Sequence, residues 1–490
     1  MMGLKRYLLL VVLFGTMGEA NAKILLPQIL SSNMVLQRDK PLNIWGFGAV
    51  GELVTVSFGV QVKQTTTDAN GKWKVVLSPL KTSAVPAAMT IKGSNTIVLD
   101  NILVGEVWLC SGQSNMEYAM RKIAKVKKPL KERLGYPADE LEKANNPQIR
   151  IFLVNRKQLS KPDSIHKSWS VAQDSALKNF SAAGYFFAKE LHEKLNVPVG
   201  MISSAVSGSA IEPWIPKDSL ENVETGYFKD QKVGNDPGKF YTPMIEPLTP
   251  FALSGFLWYQ GETNCFLKEN ISYSYKMKAL INSWRTAWKI GSSDQNADLP
   301  FYYVQIAPFN YSTTKGKVAL DQQTEPEFWE AQTQLLRMPN TGMVVTTDLN
   351  DYPDDLHPNY KWEIGRRLAL WALANDYNKK LSYSGPIYKS VSFKGATAEL
   401  EFEHSGKGLT SIDGKALDCF TIAGADGKFV PANAVIKGNK IIVSAKGLKN
   451  PAAVRFGFNE AMRPNLYNKD GLPALPFRTD NPLTKQFKPI

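Results

Sequence analysis

The stretch LCSGQSNMEY (109–118) sets Ser114 between Gln113 and Asn115, after a short apolar run and before a helical pattern. A serine hydroxyl is a weak nucleophile until a neighbouring base takes its proton, and histidine is the usual base. The chain has four histidines. His192 falls in a charged helical pattern, His166 in a polar loop and His404 in a strand-rich C-terminal region. Only His357 follows a central apolar run with aspartates beside it, in Asp354-Asp355-Leu356-His357. A carboxylate beside such a base fixes its tautomer and steadies the imidazolium that forms. An aspartate three residues earlier can curl back across a tight turn. One two residues earlier shares the histidine's side in an extended loop, and Pro358 favours an extended backbone at His357. Geometry leaves Asp354 and Asp355 both open. An acyl-transfer oxyanion needs donors aimed at it in advance. The backbone N–H groups of Ser114 and Gly208, with the side-chain amide of Asn264, would supply three.

These residues share an edge only if the intervening chain folds as a parallel sheet. EVWLC (106–110), VGMISSAV (199–206), ALSGFLWY (252–259), FYYVQIA (301–307) and TGMVVTT (341–347) are near-continuous apolar runs. Helical patterns lie between and after them, at 181–195, 274–288, 326–336 and 360–376. In the last, Ile364, Leu368 and Trp371 fall on one face, as a packed amphipathic helix requires. Buried strands alternating with helices indicate a parallel sheet covered on both faces. Ligands then bind outside the carboxyl ends of the strands. Ser114, Ser207-Gly208-Ser209, Gln260-Gly261-Glu262-Thr263-Asn264 and the Asp/His loop each follow one of those runs. Residues 23–103 and 385–490 instead carry short alternating runs cut by Gly and Asp-Gly turns, which read as β-rich regions. The expected organisation is a leader at 1–22, a β-rich region at 23–103, an α/β unit at 104–384 and a second β-rich region at 385–490.

Composition narrows the class further. Lys5 and Arg6 precede an apolar run, and Ala20-Asn21-Ala22 offers a small-residue cleavage site, the pattern of a secretory signal peptide. That run is too short to span a bilayer, so a secreted or periplasmic protein without a membrane span is expected. The formal charge of +13 falls to +12 without the leader. The densest basic run, RKIAKVKKPLKER (121–133), lacks interleaved aromatics and reads as a solvated surface insertion rather than a nucleic-acid site. Three cysteines in so long a chain form no disulfide framework and no metal spacing. GFGAVG (46–51) matches a dinucleotide fingerprint, but an alternating strand follows it where a helix is needed. HEKLN (192–196) lacks the second histidine of a zinc protease helix. No P-loop occurs, and Met116 breaks the G-x-S-x-G nucleophile elbow.

GEVWLCSGQSNM, WYQGETN and DDLHP together resemble the serine, Gly/Asn and Asp/His blocks of SGNH-type esterases, and more narrowly the sialate O-acetylesterase family. The likeness continues in SGSAIEPW, AQTQLLRMPNTGMVVTTDL and NLYNKDGLPALPFRTD, so it spans nearly all of the chain after the leader. It implies an α/β fold with a three-layer SGNH-hydrolase-like parallel sheet, flanked by β-rich, sandwich-like regions. It implies removal of O-acetyl groups from sugars, sialic acids above all, with no metal and no cofactor. By motif, Ser114 is the nucleophile, His357 the base, and Ser114, Gly208 and Asn264 form the oxyanion hole. The second block departs from the family's frequent Gly-Gly-Thr and reads Ser207-Gly208-Ser209. The D-x-x-H spacing of SGNH esterases selects Asp354 as the orienting aspartate, with Asp355 as the alternative.

Gln113, Trp214, Trp258 and Gln260 lie beside the motif blocks and are candidates for substrate contact, as is Tyr118. An anionic sugar would call for a lysine or arginine facing its carboxylate. The expected partner is an O-acetylated sugar or glycan, with no nucleic acid. Two alternatives differ: an acetyl-xylan-type polysaccharide deacetylase, and a glycan-binding protein with an inactive core. The complete Ser/Asn/Asp/His set argues against the second, since a binding module has no use for a base.

Overall fold

The computed structural model describes residues 23–489 except 156, 158, 160, 164–167, 230 and 295–297. The proposed leader therefore lies outside the described residues, as does His166. Six parallel strands form the centre: β1 (Thr96–Gly112), β2 (Ile149–Leu153), β3 (Val199–Ala205), β4 (Gly255–Tyr259), β5 (Phe301–Val304) and β6 (Thr341–Val344). Their order is β2-β3-β1-β4-β5-β6, with a short antiparallel edge at Ser170–Val171. Five of the six contain or fall within the apolar runs of the sequence. The exception, β2 (IRIFL), is short and stands among polar loops, so its strand pattern is weak.

Helices cover both faces. They include α1 (Ser114–Glu117), α2 (Ala182–Leu195), α3 (Glu262–Phe266), α4 (Ile271–Gly291), α5 (Thr324–Thr333) and α6 (Lys361–Asn375). Because strand side chains alternate, each strand divides its residues between two cores. Cys110, Met201, Leu257, Tyr302 and Val344 pack with α2 and α6. Leu109, Ile202, Phe256, Trp258 and Met343 pack with α4 and α5. This is the three-layer α/β arrangement the sequence implies.

The 17-residue strand β1 runs through positions 103 and 104, where the sequence reading puts a boundary. Its first half pairs with Ser83–Lys92 in an antiparallel sheet, and its second half is the centre of the parallel sheet. The N-terminal β region and the α/β unit are thus joined by one continuous strand, and they share a core. After α6 the chain builds two four-stranded antiparallel sheets with a separate core of Leu400, Phe420, Ile422, Ile441, Val443 and Phe456. At GFGAVG the chain makes the turn expected of it, with Gly51 at φ +77° before the strand Leu53–Phe58. Cys110, Cys265 and Cys419 are all unpaired. Among the described residues no helix is long and apolar enough to cross a membrane.

Candidate active site

Strand β1 ends at Gly112, where φ is +140° and a Cβ would stand 2.1 Å from the carbonyl oxygen of Tyr259. Only glycine fits so close to the end of β4. Gln113 then donates its backbone N–H to that same carbonyl (3.0 Å). Its side-chain oxygen accepts from the N–H groups of Gly261 (3.2 Å) and Thr263 (3.4 Å). Gln113 is buried and braces the turn after β1 against the turn after β4. Ser114 follows as the first residue of α1, so its backbone N–H is among the first-turn donors that a helix leaves unpaired.

The loop after β6 brings His357 to this serine. Nε2 of His357 lies 2.9 Å from Ser114 Oγ, within the reach that general-base catalysis requires. Asp355 is the carboxylate on the other side of the ring. It accepts the His357 backbone N–H at 2.9 Å and stands 3.6 Å from Nδ1, beyond a hydrogen bond. Asp354 instead accepts from the Asn310 side-chain amide at 2.6 Å. Burial depresses the His357 pKa below its ordinary value, and Lys361 and Lys122 add to that; Asp355 opposes them. The imidazole is therefore neutral near pH 7, the form that can accept a proton from serine.

Two further aspartates fix the loop. Asp348, nearly fully buried, takes two hydrogen bonds from Arg367 (both 2.8 Å) and one from Arg133 (2.9 Å). Asp351 accepts from the Leu130 N–H at 2.8 Å and pairs with Lys131 and the Tyr360 hydroxyl. The basic run at 121–133 is thus only partly a solvated face. Lys131 and Arg133 neutralise carboxylates buried beneath the histidine loop, and burial of those carboxylates requires it. Lys122 remains exposed. Its ammonium lies 4.8 Å from the centre of the Tyr118 ring, which is itself 6.3 Å from the imidazole, and it makes no ion pair among the described residues.

The other expected site residues fall in different places. Gly208 is exposed on the turn after β3 with φ +70°, and among the described residues its N–H has no backbone acceptor. Asn264, fully buried, directs its amide to Glu212 (3.3 Å) and Glu269 (3.1 Å) while its oxygen accepts from Ile211 and Gln260. Both of its amide hydrogens are thus engaged by carboxylates. Gln260 is equally buried, held by Asn264 and Tyr273. Trp214 and Trp258 are core residues packed edge to face at 6.0 Å, and present no surface to a sugar. Trp258 points to the α4 face by the strand's own alternation, a signal that its nearness in sequence to the motif obscures.

Sequence reasoning missed Lys361 and gave no role to Asn115 or Glu262. Lys361 is fully buried at the start of α6 and donates to the Asn115 side-chain oxygen (2.9 Å) and the Pro358 carbonyl. Asn115 in turn donates to Glu262 and to the Leu356 carbonyl (3.1 Å). The missed signal was periodicity. Lys361 stands three residues before Ile364 and seven before Leu368, on the apolar face of its helix.

A parallel sheet with a serine on the turn after its central strand, and a histidine on the loop after its last, defines an SGNH-type α/β hydrolase. The family profile described as "carbohydrate esterase, sialic acid-specific acetylesterase" matches residues 104–374. Sialate O-acetylesterase of Homo sapiens is 30% identical over 399 residues, covering 74% of this chain and 73% of its own. The Mus musculus enzyme of that name is 28% identical over 462 residues, covering 82% and 83%. The solved structure of a carbohydrate acetylesterase from Xanthomonas citri superposes with a TM-score of 0.81 at 35% identity, covering 94% of this chain and all of that one. The chain belongs to the sialic acid-specific acetylesterase family of carbohydrate esterases, and is a carboxylic ester hydrolase.

Proposed function

We propose that this protein is an exported serine esterase that removes O-acetyl groups from sugars, O-acetylated sialic acids foremost. The observation that carries the mechanism is the 2.9 Å approach of His357 Nε2 to Ser114 Oγ. Ser114 attacks the acetyl carbonyl while His357 takes its proton. The oxyanion is received by the backbone N–H groups of Ser114 and Gly208, for which no hydrogen-bond acceptor stands among the described residues. Collapse expels the sugar oxygen, which takes the proton back from Nε2 and leaves acetyl-Ser114. Water, deprotonated by the same nitrogen, then releases acetate. Asp355 steadies the imidazolium through its charge. Asn264 has no part in this scheme, because its amide is held by Glu212 and Glu269.

The sialic acid reading is supported by the family's description and by the names of its relatives. Lys122, unpaired and close to the tyrosine beside His357, supplies the cation a sugar carboxylate asks for. Export rests on the leader-like residues 1–22. The deciding experiment is acetate release from O-acetylated sialic acid beside acetylated xylan, with Ser114→Ala as control. The variant should lose roughly 10³-fold or more in kcat. Near-full activity in Ser114→Ala would overturn the serine mechanism, and preference for xylan would overturn the substrate.

A further inference from the structure

A lysine on the apolar face of a buried helix is an expensive choice, since desolvating an ammonium disfavours its charged form. Lys361 is 0% exposed, and so is Asn115. Burial pulls the Lys361 pKa down to about 7, against the opposing charges of Glu262 and Asp355. Leucine or methionine at this position would pack against Tyr118 and Tyr259, whose ring centres lie 4.7 and 5.7 Å from the ammonium. The amine must therefore serve something that packing does not.

We propose that Lys361 is a positioning residue of the hydrolytic site. With Asn115 it clamps the carbonyls on either side of His357 to the helix that carries Ser114. The inference rests on the Ser114–His357 reading above. Lys361 holds the Pro358 carbonyl and Asn115 holds the Leu356 carbonyl, so the two backbone groups that bracket His357 are both engaged. The two side chains are bonded to each other, and Asn115 immediately follows Ser114 in α1. Glu262 at the start of α3 accepts the second Asn115 hydrogen and fixes the amide's orientation. Nucleophile and base sit on different elements, 243 residues apart. Among the described residues no backbone–backbone hydrogen bond joins the helix of one to the loop of the other. The clamp does, by three hydrogen bonds that converge on one asparagine. It answers why an asparagine follows the nucleophile: only an amide can accept from the lysine and donate to both Leu356 and Glu262.

The test compares Lys361→Met, which keeps the length and loses the donor, with wild type. The readouts are kcat and KM on 4-nitrophenyl acetate, the rate at which a fluorophosphonate labels Ser114, and the pH profile of kcat/KM. A misplacement of about 1 Å costs on the order of 10²-fold. Lys361→Met should lower kcat by about that factor with KM within twofold, and slow labelling in parallel. The groups facing His357 are Asp355 on its own loop, Lys361 on α6, Lys122 on the segment after α1, and Tyr118 and Ser114. Loss of the Lys361 cation raises the His357 pKa, so the acidic limb should move to higher pH, which a loss of packing alone would not cause. A kcat within threefold of wild type, or a labelling rate unchanged while stability falls, overturns the proposal. If Lys361→Met does not fold, Asn115→Ala decides: a kcat loss of tenfold or more at constant KM supports the clamp, and an unchanged kcat removes it. Failure of wild type to label at Ser114 would instead sink the serine reading on which the clamp depends.

Discussion

One loop carries four aspartates in two pairs with opposite surroundings. Asp348 and Asp351 are buried, with side-chain exposures of 4% and 0%, and each faces a cation from the basic segment. Asp354 and Asp355 are exposed, Asp355 by 64%. The residue type is the same throughout, and the work differs. The inner pair pins the loop by charge-assisted hydrogen bonds in a low dielectric, where each is strong. The outer pair stands in water, where a charge acts weakly. Placement and electrostatics are therefore divided along the loop, and His357 sits at the outer end of an arm anchored at the inner one.

The sharpest way to break this division is at Asp348. Burial alone would raise its pKa, but Arg367 and Arg133 hold it below the ordinary value of 3.8. Its folded pKa is depressed, so its stabilisation is complete above 3.8 and is lost as pH falls through the folded value. Asp348→Asn leaves two guanidinium groups facing an amide, a loss of about 3–5 kcal/mol for a broken buried pair. Urea unfolding of the variant should show that deficit at pH 7 and a smaller one at the acidic end. Equal deficits at both ends would mean that the charge is not what holds the loop.

Much of this arrangement was readable in the sequence, and the reasons for the gaps are local. Ser114 and His357 could be placed because period and apolar content locate strand ends, and ligands gather at the carboxyl edge of a parallel sheet. Such patterns say which end of a strand a residue occupies. They say little about where a loop side chain turns. The motif assigns Asn264 to the oxyanion, yet its amide goes to Glu212, 52 residues back, and to Glu269, five residues on. Arg133 and Lys131 looked like part of a solvated run because their partners lie 215 and 220 residues away. Lys361 needed a different question: why a charge should occur where the helix pattern calls for leucine.

The second expected effect is smaller, and concerns the outer pair's charge. Asp355→Asn keeps an oxygen to accept the His357 N–H, so the loop should hold its shape. What is lost is the carboxylate that raises the imidazole pKa. The acidic limb of kcat/KM should move to lower pH. The plateau should fall by about fivefold, as an exposed pair of about 1 kcal/mol allows. A loss of 10³-fold or more would show that Asp355 closes onto Nδ1 during catalysis and that its exposure in the free enzyme misleads.

The smallest effect is expected at Asp354, where the D-x-x-H spacing and the observed geometry point to different partners. Asp354 is bound to Asn310, and an asparagine in its place retains an oxygen for that contact. An exposed substitution of this kind changes stability by about 0.5 kcal/mol or less. Asp354→Asn should leave kcat within twofold and the acidic limb nearly unmoved, because burial, Lys361, Asp355 and Lys122 are the main causes of the shift at His357. The ranking of the two outer variants is therefore the discriminating quantity. Were Asp354→Asn the more damaging, the loop would have to turn so that the residue three before the histidine meets Nδ1 and Asn310 is released. That turn would also disturb the Asp355 contact with the His357 N–H, since the two aspartates are adjacent in one tight turn. An Asn310→Ala variant then separates the cases: it is silent if Asp354 only decorates the loop, and activating if Asn310 competes with the imidazole for that carboxylate.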